Sequence, residues 1–84
     1  MAVRFHPHAK GRMEDRGATE NEVIAAVEQG ETFSAKFGRT GFRRNFPFQD
    51  EWRGKRDYHT KQIEVFAVQE GNDWLVLTVI TRYF

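Results

Sequence analysis

Hydrophobic residues near the start of the chain recur at helical spacing and predict a short first helix. Proline is favoured at the first helical position and glycine just past a helix end, so Pro7 and Gly17 bound a helix over Pro7–Arg16. Ala9 and Met13 lie four residues apart, which places them on one face of this helix. These two residues are predicted to anchor the helix on the rest of the fold.

A second helix is marked by its first turn. Thr19, with Glu22 three residues later, has the pattern of a capping box, in which each side chain bonds the backbone N–H of the other residue. Gly30 marks the end of this helix. Its buried stripe consists of three aliphatic residues: Val23, Ile24 and Val27.

After the second helix the pattern changes to one that predicts strands. A first strand is predicted over Glu31–Lys36 and a second over Phe42–Phe48, with a turn at Gly38–Gly41 between them. Pro47 cannot donate a ladder hydrogen bond, so it indicates an edge or the end of the second strand. The polar residues that follow predict a loop.

The last third of the chain predicts a long β-hairpin. Tyr58–Gln69 and Trp74–Tyr83 flank Glu70-Gly71-Asn72-Asp73, and the central Gly71-Asn72 is a pair typical of tight turns. Two helices followed by antiparallel strands make an α+β fold. The 84 residues are predicted to form one domain, 1–84.

The hairpin also predicts which side chains lie opposite each other. With the turn at Gly71-Asn72, Lys61 lies opposite Arg82. Seven side chains then share one face: His59, Lys61, Ile63, Val65, Thr78, Ile80 and Arg82. Two opposed cations are unfavourable unless an anion lies between them, which predicts a phosphate clamp. Two alternatives stay open: both cations splay into solvent, or Asp57 neutralises them. A slip of one residue in the register would reverse the faces.

Composition restricts the classes of site that the chain can carry. Cysteine is absent, so neither a disulfide nor a thiolate metal site is expected. His6-Pro7-His8 has no carboxylate at a matching spacing, so we expect no metal and no cofactor. The chain shows no signal-peptide pattern and no apolar stretch of membrane-spanning length. We therefore expect a cytoplasmic protein without membrane contact.

The net charge of +1 conceals an uneven distribution of charge. Residues 14 to 31 carry six acidic side chains against one arginine, whereas residues 36 to 61 carry eight basic side chains against three acidic ones. Cations that hold phosphates, mixed with rings that stack on bases, are typical of a single-stranded RNA surface. The alternative is a solvated strand face backed by core aromatics. Six aromatic residues are interleaved with the basic region: Phe37, Phe42, Phe46, Phe48, Trp52 and Tyr58.

Two histidines are candidates for acid–base chemistry on RNA. Cleavage without a metal needs a base for the 2′-hydroxyl, an acid for the leaving oxygen and cations for the charged phosphorane. Histidine titrates closest to neutral pH, which makes His8 and His59 the candidates. His8 shares a helical stripe with Arg12 and Arg16. The alternatives are a capping or surface role for His8 and ion pairs between the two arginines and acids of the second helix.

Both ends of the chain resemble a family of uncharacterised bacterial and archaeal domains. The segment His8–Gly17, with Thr19 and Glu22-Val23 after it, is similar to the opening motif of that family, H-A-x-x-R-M-x-x-R-G-[IV]-[ST]-x-x-E-V. Ala18 departs from this motif, which has a larger aliphatic residue there. The closing segment Trp74–Phe84 is also similar. The family resembles the Barnase–EndoU–colicin–RelE fold, which includes the RelE/ParE-type toxins.

This resemblance implies a RelE-like α+β fold, with two N-terminal helices packed on an antiparallel sheet of about four strands. It implies a metal-independent endoribonuclease, the toxin of a toxin–antitoxin pair. The implied partners are RNA, free or ribosome-bound, and a small antitoxin protein. The alternative function is a non-catalytic module that binds nucleic acid or protein through the same basic face. Catalytic roles are predicted for His8, His59, Lys61, Arg82 and Tyr83, and RNA contacts for Arg12, Arg16, Arg43, Arg44, Tyr58 and Thr81.

Overall fold

The part of the chain that the structure describes folds into two helices packed on one mixed sheet, an α+β arrangement. The structure is a computed structural model that describes residues 2–48 and 59–84. The strands lie in the order β1-β5-β4-β3-β2, with β1 parallel to β5 and the other neighbours antiparallel. The elements in chain order are β1 (Val3–Phe5), α1 (Pro7–Arg16), α2 (Glu20–Gln29), β2 (Glu31–Ser34), a 3-10 turn (Lys36–Gly38), β3 (Thr40–Pro47), β4 (Thr60–Glu70) and β5 (Asp73–Tyr83).

Both helices begin and end where their local signals predict. At the start of α1, Nδ1 of His6 accepts a hydrogen bond from the backbone N–H of His8 at 3.1 Å. Gly17 ends α1 in the left-handed conformation, with φ of 72°. The predicted capping box of α2 is present, with bonds of 3.0 and 3.1 Å between Thr19 and Glu22. The predicted bounds of both helices are therefore confirmed.

The sheet differs from the prediction in strand number and direction. A fifth strand, β1, lies parallel to β5 at one edge of the sheet. Backbone bonds of 2.9 Å from Trp74 N–H to the Ala2 carbonyl and from His6 N–H to the Val76 carbonyl hold β1 there. The predicted antiparallel sheet of about four strands is wrong in this respect, because a three-residue strand is too short to show alternation.

Both helices pack on the same face of the sheet, here called the helix face. Side chains alternate along a strand, so the cross-strand row Phe42, Val65 and Val79 points to this face together. The opposite face, here called the open face, has neither α1 nor α2 over it. The core between helices and sheet consists of Ala9, Met13, Ala18, Val23, Ala26, Val27, Phe42, Ile63, Val65, Ala67, Val76 and Val79.

A β-bulge changes the register of the terminal hairpin. The pair next to the turn, Glu70 with Asp73, is as predicted. That register holds as far as Ala67 with Val76, and Leu77 is then an extra residue without a partner on β4. Every later pair is shifted by one residue, so the side chains of β5 beyond the bulge point to the face opposite to the one predicted.

The bulge separates the two predicted clamp residues. Lys61 lies opposite Tyr83, and Arg82 lies opposite Gln62. Because successive side chains in a strand point to opposite faces, Lys61 lies on the helix face and Arg82 on the open face. The predicted phosphate clamp between Lys61 and Arg82 is therefore wrong. The prediction that the two side chains share one face of the sheet is wrong as well.

Candidate nucleic-acid interface

Lys61 is buried where the two helices meet. Its ammonium donates hydrogen bonds to the carbonyl of Gly17, which ends α1, and to the carboxylate of Glu22 at 2.9 Å. The side chain of Lys61 is 10% exposed. Since Glu22 also forms the capping box of α2, Lys61 ties the end of α1 to the start of α2. The positive charge of Lys61 is therefore paired with Glu22 inside the fold.

On the open face, two arginines hold one buried carboxylate. Arg43 donates from Nε and NH2 to Oε2 of Glu64, both at 2.7 Å, and NH1 of Arg82 donates to Oε1. The Glu64 side chain is 7% exposed, against 36% for Arg43 and 52% for Arg82. Burial alone would raise the pKa of Glu64, but the hydrogen bonds from Arg82 and Arg43 and their positive charges outweigh it and lower the pKa.

Two phenylalanines lie beside these arginines. The guanidinium of Arg43 lies over the ring of Phe33, 4.7 Å from its centroid. Phe33 meets Phe66 edge to face, with centroids 6.0 Å apart. The ring of Phe33 crosses Gly41, where any β-carbon would overlap it. We call Phe33, Arg43, Glu64, Phe66 and Arg82 the open-face cluster; its rings and cations are fixed by contacts within the fold.

Side-chain amides extend the open-face cluster towards the end of the sheet. Asn45 and Gln62 lie in the same cross-strand row as Arg82. The amide of Gln62 donates to the side-chain carbonyl of Asn45 at 3.0 Å. Each amide group has more donor and acceptor positions than this one bond uses, and these are the groups that hydrogen-bond base edges.

Two predicted RNA contacts lie on the helix face instead. Arg44 donates to the side chain of Gln29 at the end of α2, and its guanidinium lies 5.4 Å from the ring centroid of Phe46. The hydroxyl of Thr81 is buried and has no hydrogen-bond partner among the described residues. Both residues are therefore separated from the open-face cluster by the sheet. Tyr58 lies outside the described residues.

The predicted stripe on α1 divides into an exposed and an anchored part. Nε of Arg12 donates to Nε2 of His8 at 3.5 Å, and both side chains are exposed. Arg16, at the other end of the helix, donates to the carbonyl of Val79 at 2.8 Å and so fastens α1 to β5. The structure brings His8 and Arg12 together, whereas Arg16 contacts the sheet.

The two candidate histidines lie at different places along the sheet. His8 lies two residues after His6, whose N–H donates to the Val76 carbonyl, whereas the N–H of His59 donates to the carbonyl of Phe84 at 3.1 Å. Eight residues of extended strand separate those two carbonyls, a distance of roughly 25 Å at the usual rise per residue. One site therefore cannot use both histidines as its acid and its base.

His59 lies beside aromatic residues at the end of the sheet. The ring of Tyr83 is 4.9 Å from that of Phe48, and its hydroxyl lies 3.5 Å from the carbonyl of Arg16, to which it donates. Phe84 is 55% exposed. We call Phe48, His59, Tyr83 and Phe84 the sheet-end cluster. It follows Arg82 directly along β5.

Sequence reasoning missed the centre of the open-face cluster. Glu64 is the one acidic residue inside the apolar stretch from Ile63 to Val68, which is a signal for a buried carboxylate with cationic partners. Its partners Arg43 and Arg82 are 21 and 18 residues away in the chain, so only the strand register identifies them.

The comparisons with known proteins return nothing. No protein-family model, curated protein or solved structure matches the chain. The resemblance to the RelE-type toxins thus stays a prediction from the terminal motifs. Among the described residues, no group of three or more metal-ligating side chains is found, and no helix is long and apolar enough to cross a bilayer.

Proposed function

We propose that this protein binds single-stranded RNA across the open face of its sheet. The observation that supports this most is the pair Arg43 and Arg82, held on either side of Glu64 and next to the rings of Phe33 and Phe66. Single-stranded nucleic acids are bound by cations that contact phosphates and aromatic rings that stack on bases. The open-face cluster supplies the cations and, in the partly exposed ring of Phe66, a stacking surface, whereas Arg43 covers the ring of Phe33.

The arginines of the open-face cluster have hydrogen-bond donors that the fold does not use. The two guanidinium groups share the buried carboxylate of Glu64, and Arg43 also lies 3.7 Å from the exposed carboxylate of Glu31. An arginine has five N–H donors, and Glu64 occupies only some of those on Arg43 and Arg82. The remaining donors on these partly exposed side chains can bind phosphate oxygens.

The shape of the open face favours a single strand over a duplex. The four strands from β2 to β5 span about 14 Å, since neighbouring strands lie about 4.8 Å apart. A surface of this width carries two or three splayed nucleotides on its rings. The neighbouring amides of Asn45 and Gln62 can hydrogen-bond their base edges.

Replacing Arg82 by glutamine is expected to weaken RNA binding about tenfold, because one phosphate contact is lost. The dependence of log Kd on log salt should also become shallower, by about 0.7 for a single strand. Fluorescence anisotropy with labelled single-stranded RNA measures both. Arg12→Gln, which removes a cation from the exposed side of α1, is the matched control and should leave affinity within about twofold. Equal losses in the two variants would contradict an RNA site on the open face.

Metal-independent RNA cleavage is the second candidate function. The supporting observation is the sheet-end cluster, which places His59 and Tyr83 at the same end of the sheet as Arg82. Tyr83 lies opposite Lys61 on the helix face, so an RNA strand bound at Arg82 would reach it by passing around this end of the sheet. Histidine and tyrosine are common proton-transfer groups, so this end of the sheet could supply an acid or base. Under this second proposal the protein is a RelE-like toxin in the cytoplasm, and a small antitoxin protein inhibits it.

The same binding reactions, resolved on a denaturing gel with chelator present, separate the two candidates. Bound but intact RNA, with or without ribosomes, supports the binding module. Fragments that disappear in His59→Ala and persist in His8→Ala support cleavage at the sheet-end cluster. Fragments lost only in His8→Ala would move the chemistry to α1 and contradict this assignment.

A further inference from the structure

The turn between β2 and β3 presents a strained, exposed phenylalanine. Phe37 is 87% exposed, and its backbone has φ of 62° and ψ of 36°. Among the described residues it is the one non-glycine residue with a positive φ. A bulky side chain in the left-handed region costs free energy, and glycine or asparagine would occupy it more easily. Because the ring is almost fully exposed, its contacts with the described part of the fold contribute little free energy to offset this cost.

Two backbone hydrogen bonds hold this turn. The N–H of Ala35 donates to the carbonyl of Arg39 at 3.0 Å, and the N–H of Arg39 donates to the carbonyl of Lys36 at 3.3 Å. Gly38, next to Phe37, also has a positive φ, of 70°. Two consecutive left-handed residues between fixed ends project the ring of Phe37 away from the protein. Strain of this kind concentrates at functional sites.

Basic residues lie on both sides of Phe37 in the chain. Lys36 and Arg39 are exposed, and neither makes an ion pair with another described residue. An exposed ring next to two exposed basic residues offers a stacking surface together with two phosphate contacts, which suits an unpaired nucleotide. We call Lys36, Phe37, Gly38 and Arg39 the hairpin tip.

The hairpin tip continues the open-face cluster. Phe33 belongs to that cluster and lies on β2, four residues before Phe37. Four residues of chain span at most about 14 Å, so the backbones of Phe33 and Phe37 lie within that distance of each other. An RNA strand lying on the open-face cluster can therefore reach the tip.

We infer that Phe37 is a second base-stacking residue, which takes an unpaired nucleobase of the same RNA while Lys36 and Arg39 hold the flanking phosphates. This inference rests on the proposed function and adds the tip to its binding surface. It follows that Phe37 is kept for a ligand, at the expense of stability.

Replacing Phe37 with asparagine tests this inference, because the ligand role and stability should change in opposite directions. Asparagine tolerates the left-handed backbone, so the melting temperature should rise or stay the same, whereas affinity for single-stranded RNA of about ten nucleotides should fall about tenfold. Phe37→Trp, which keeps a stacking ring, should retain the wild-type affinity. Thermal unfolding and fluorescence anisotropy measure the two quantities.

Three outcomes would overturn the inference, and they are distinguishable. Unchanged affinity in Phe37→Asn, with affinity lost in Arg82→Gln, removes the tip but keeps the proposed function. No binding of RNA by the wild-type protein overturns both. Binding of the wild-type protein, but not of Phe37→Asn, to vesicles of phosphatidylserine and phosphatidylcholine, without RNA binding, would make the tip a membrane contact instead.

Discussion

Replacing Lys61 with methionine should lower the free energy of unfolding by about 2 kcal/mol, because the change leaves the Glu22 carboxylate without its cation and the Gly17 carbonyl without a donor. Methionine keeps most of the apolar stem, so packing changes little. We expect a smaller loss of stability than for a fully buried ion pair because the Glu22 side chain is 21% exposed. For a chain of this length the melting temperature should fall by roughly 10 °C.

A double-mutant cycle shows whether that loss belongs to the ion pair. Glu22→Gln, alone and combined with Lys61→Met, should give a coupling of about 1 kcal/mol or more between the two residues. Lys10→Met, which changes an exposed lysine of α1, is the matched control and should leave stability within about 0.5 kcal/mol. A Lys61 variant of unchanged stability that fails to bind RNA would contradict the structural role and restore a phosphate-binding one.

The second large effect is expected at Glu64. Glutamine at this position leaves Arg43 and Arg82 facing each other without the carboxylate that fixes them, and should cost about 2 kcal/mol at neutral pH. This loss of stability is smaller than expected for a fully buried ion-pair network because both arginines are partly exposed. Denaturant unfolding of the wild type and of Glu64→Gln at a series of pH values measures the difference.

That difference in stability should also depend on pH. The pKa of Glu64 is lower in the folded protein than in the unfolded chain, so its contribution is fully present above the unfolded pKa and is lost as pH falls through the folded pKa. The gap between wild type and Glu64→Gln should thus be constant near neutrality and shrink below about pH 4. Glu28→Gln, on the exposed side of α2, should show no such gap. A gap that is independent of pH down to the acid transition would contradict the ionised network.

Local signals in the sequence specify the helices and the hairpin turn. The capping box of Thr19 and Glu22 involves residues three apart, and the terminator Gly17 acts on the turn next to it. Such signals need no knowledge of distant contacts, so the predicted bounds Pro7–Arg16 are those observed. The pair Glu70 and Asp73 was predictable for the same reason.

The candidate site was harder to predict because it depends on strand register over many residues. Leu77 in the bulge carries no sequence mark that distinguishes it from its neighbours, yet it reverses the face on which Arg82 lies. The same reversal brings Arg82 to Glu64 and removes it from Lys61. The basic and aromatic residues of the middle region were identified from the sequence, but only the fold shows on which face of the sheet each one lies. Arg43 and Phe33 lie on the open face, whereas Arg44 lies on the helix face.

Amide chemical shifts during a titration with short single-stranded RNA test the open-face assignment most directly. We expect the largest changes along β2, β3, β4 and β5 at the open-face cluster and at the hairpin tip, growing with RNA and diminishing with salt. Changes confined to α1, around His8 and Arg12, or no changes at all, would contradict RNA binding on the open face of the sheet.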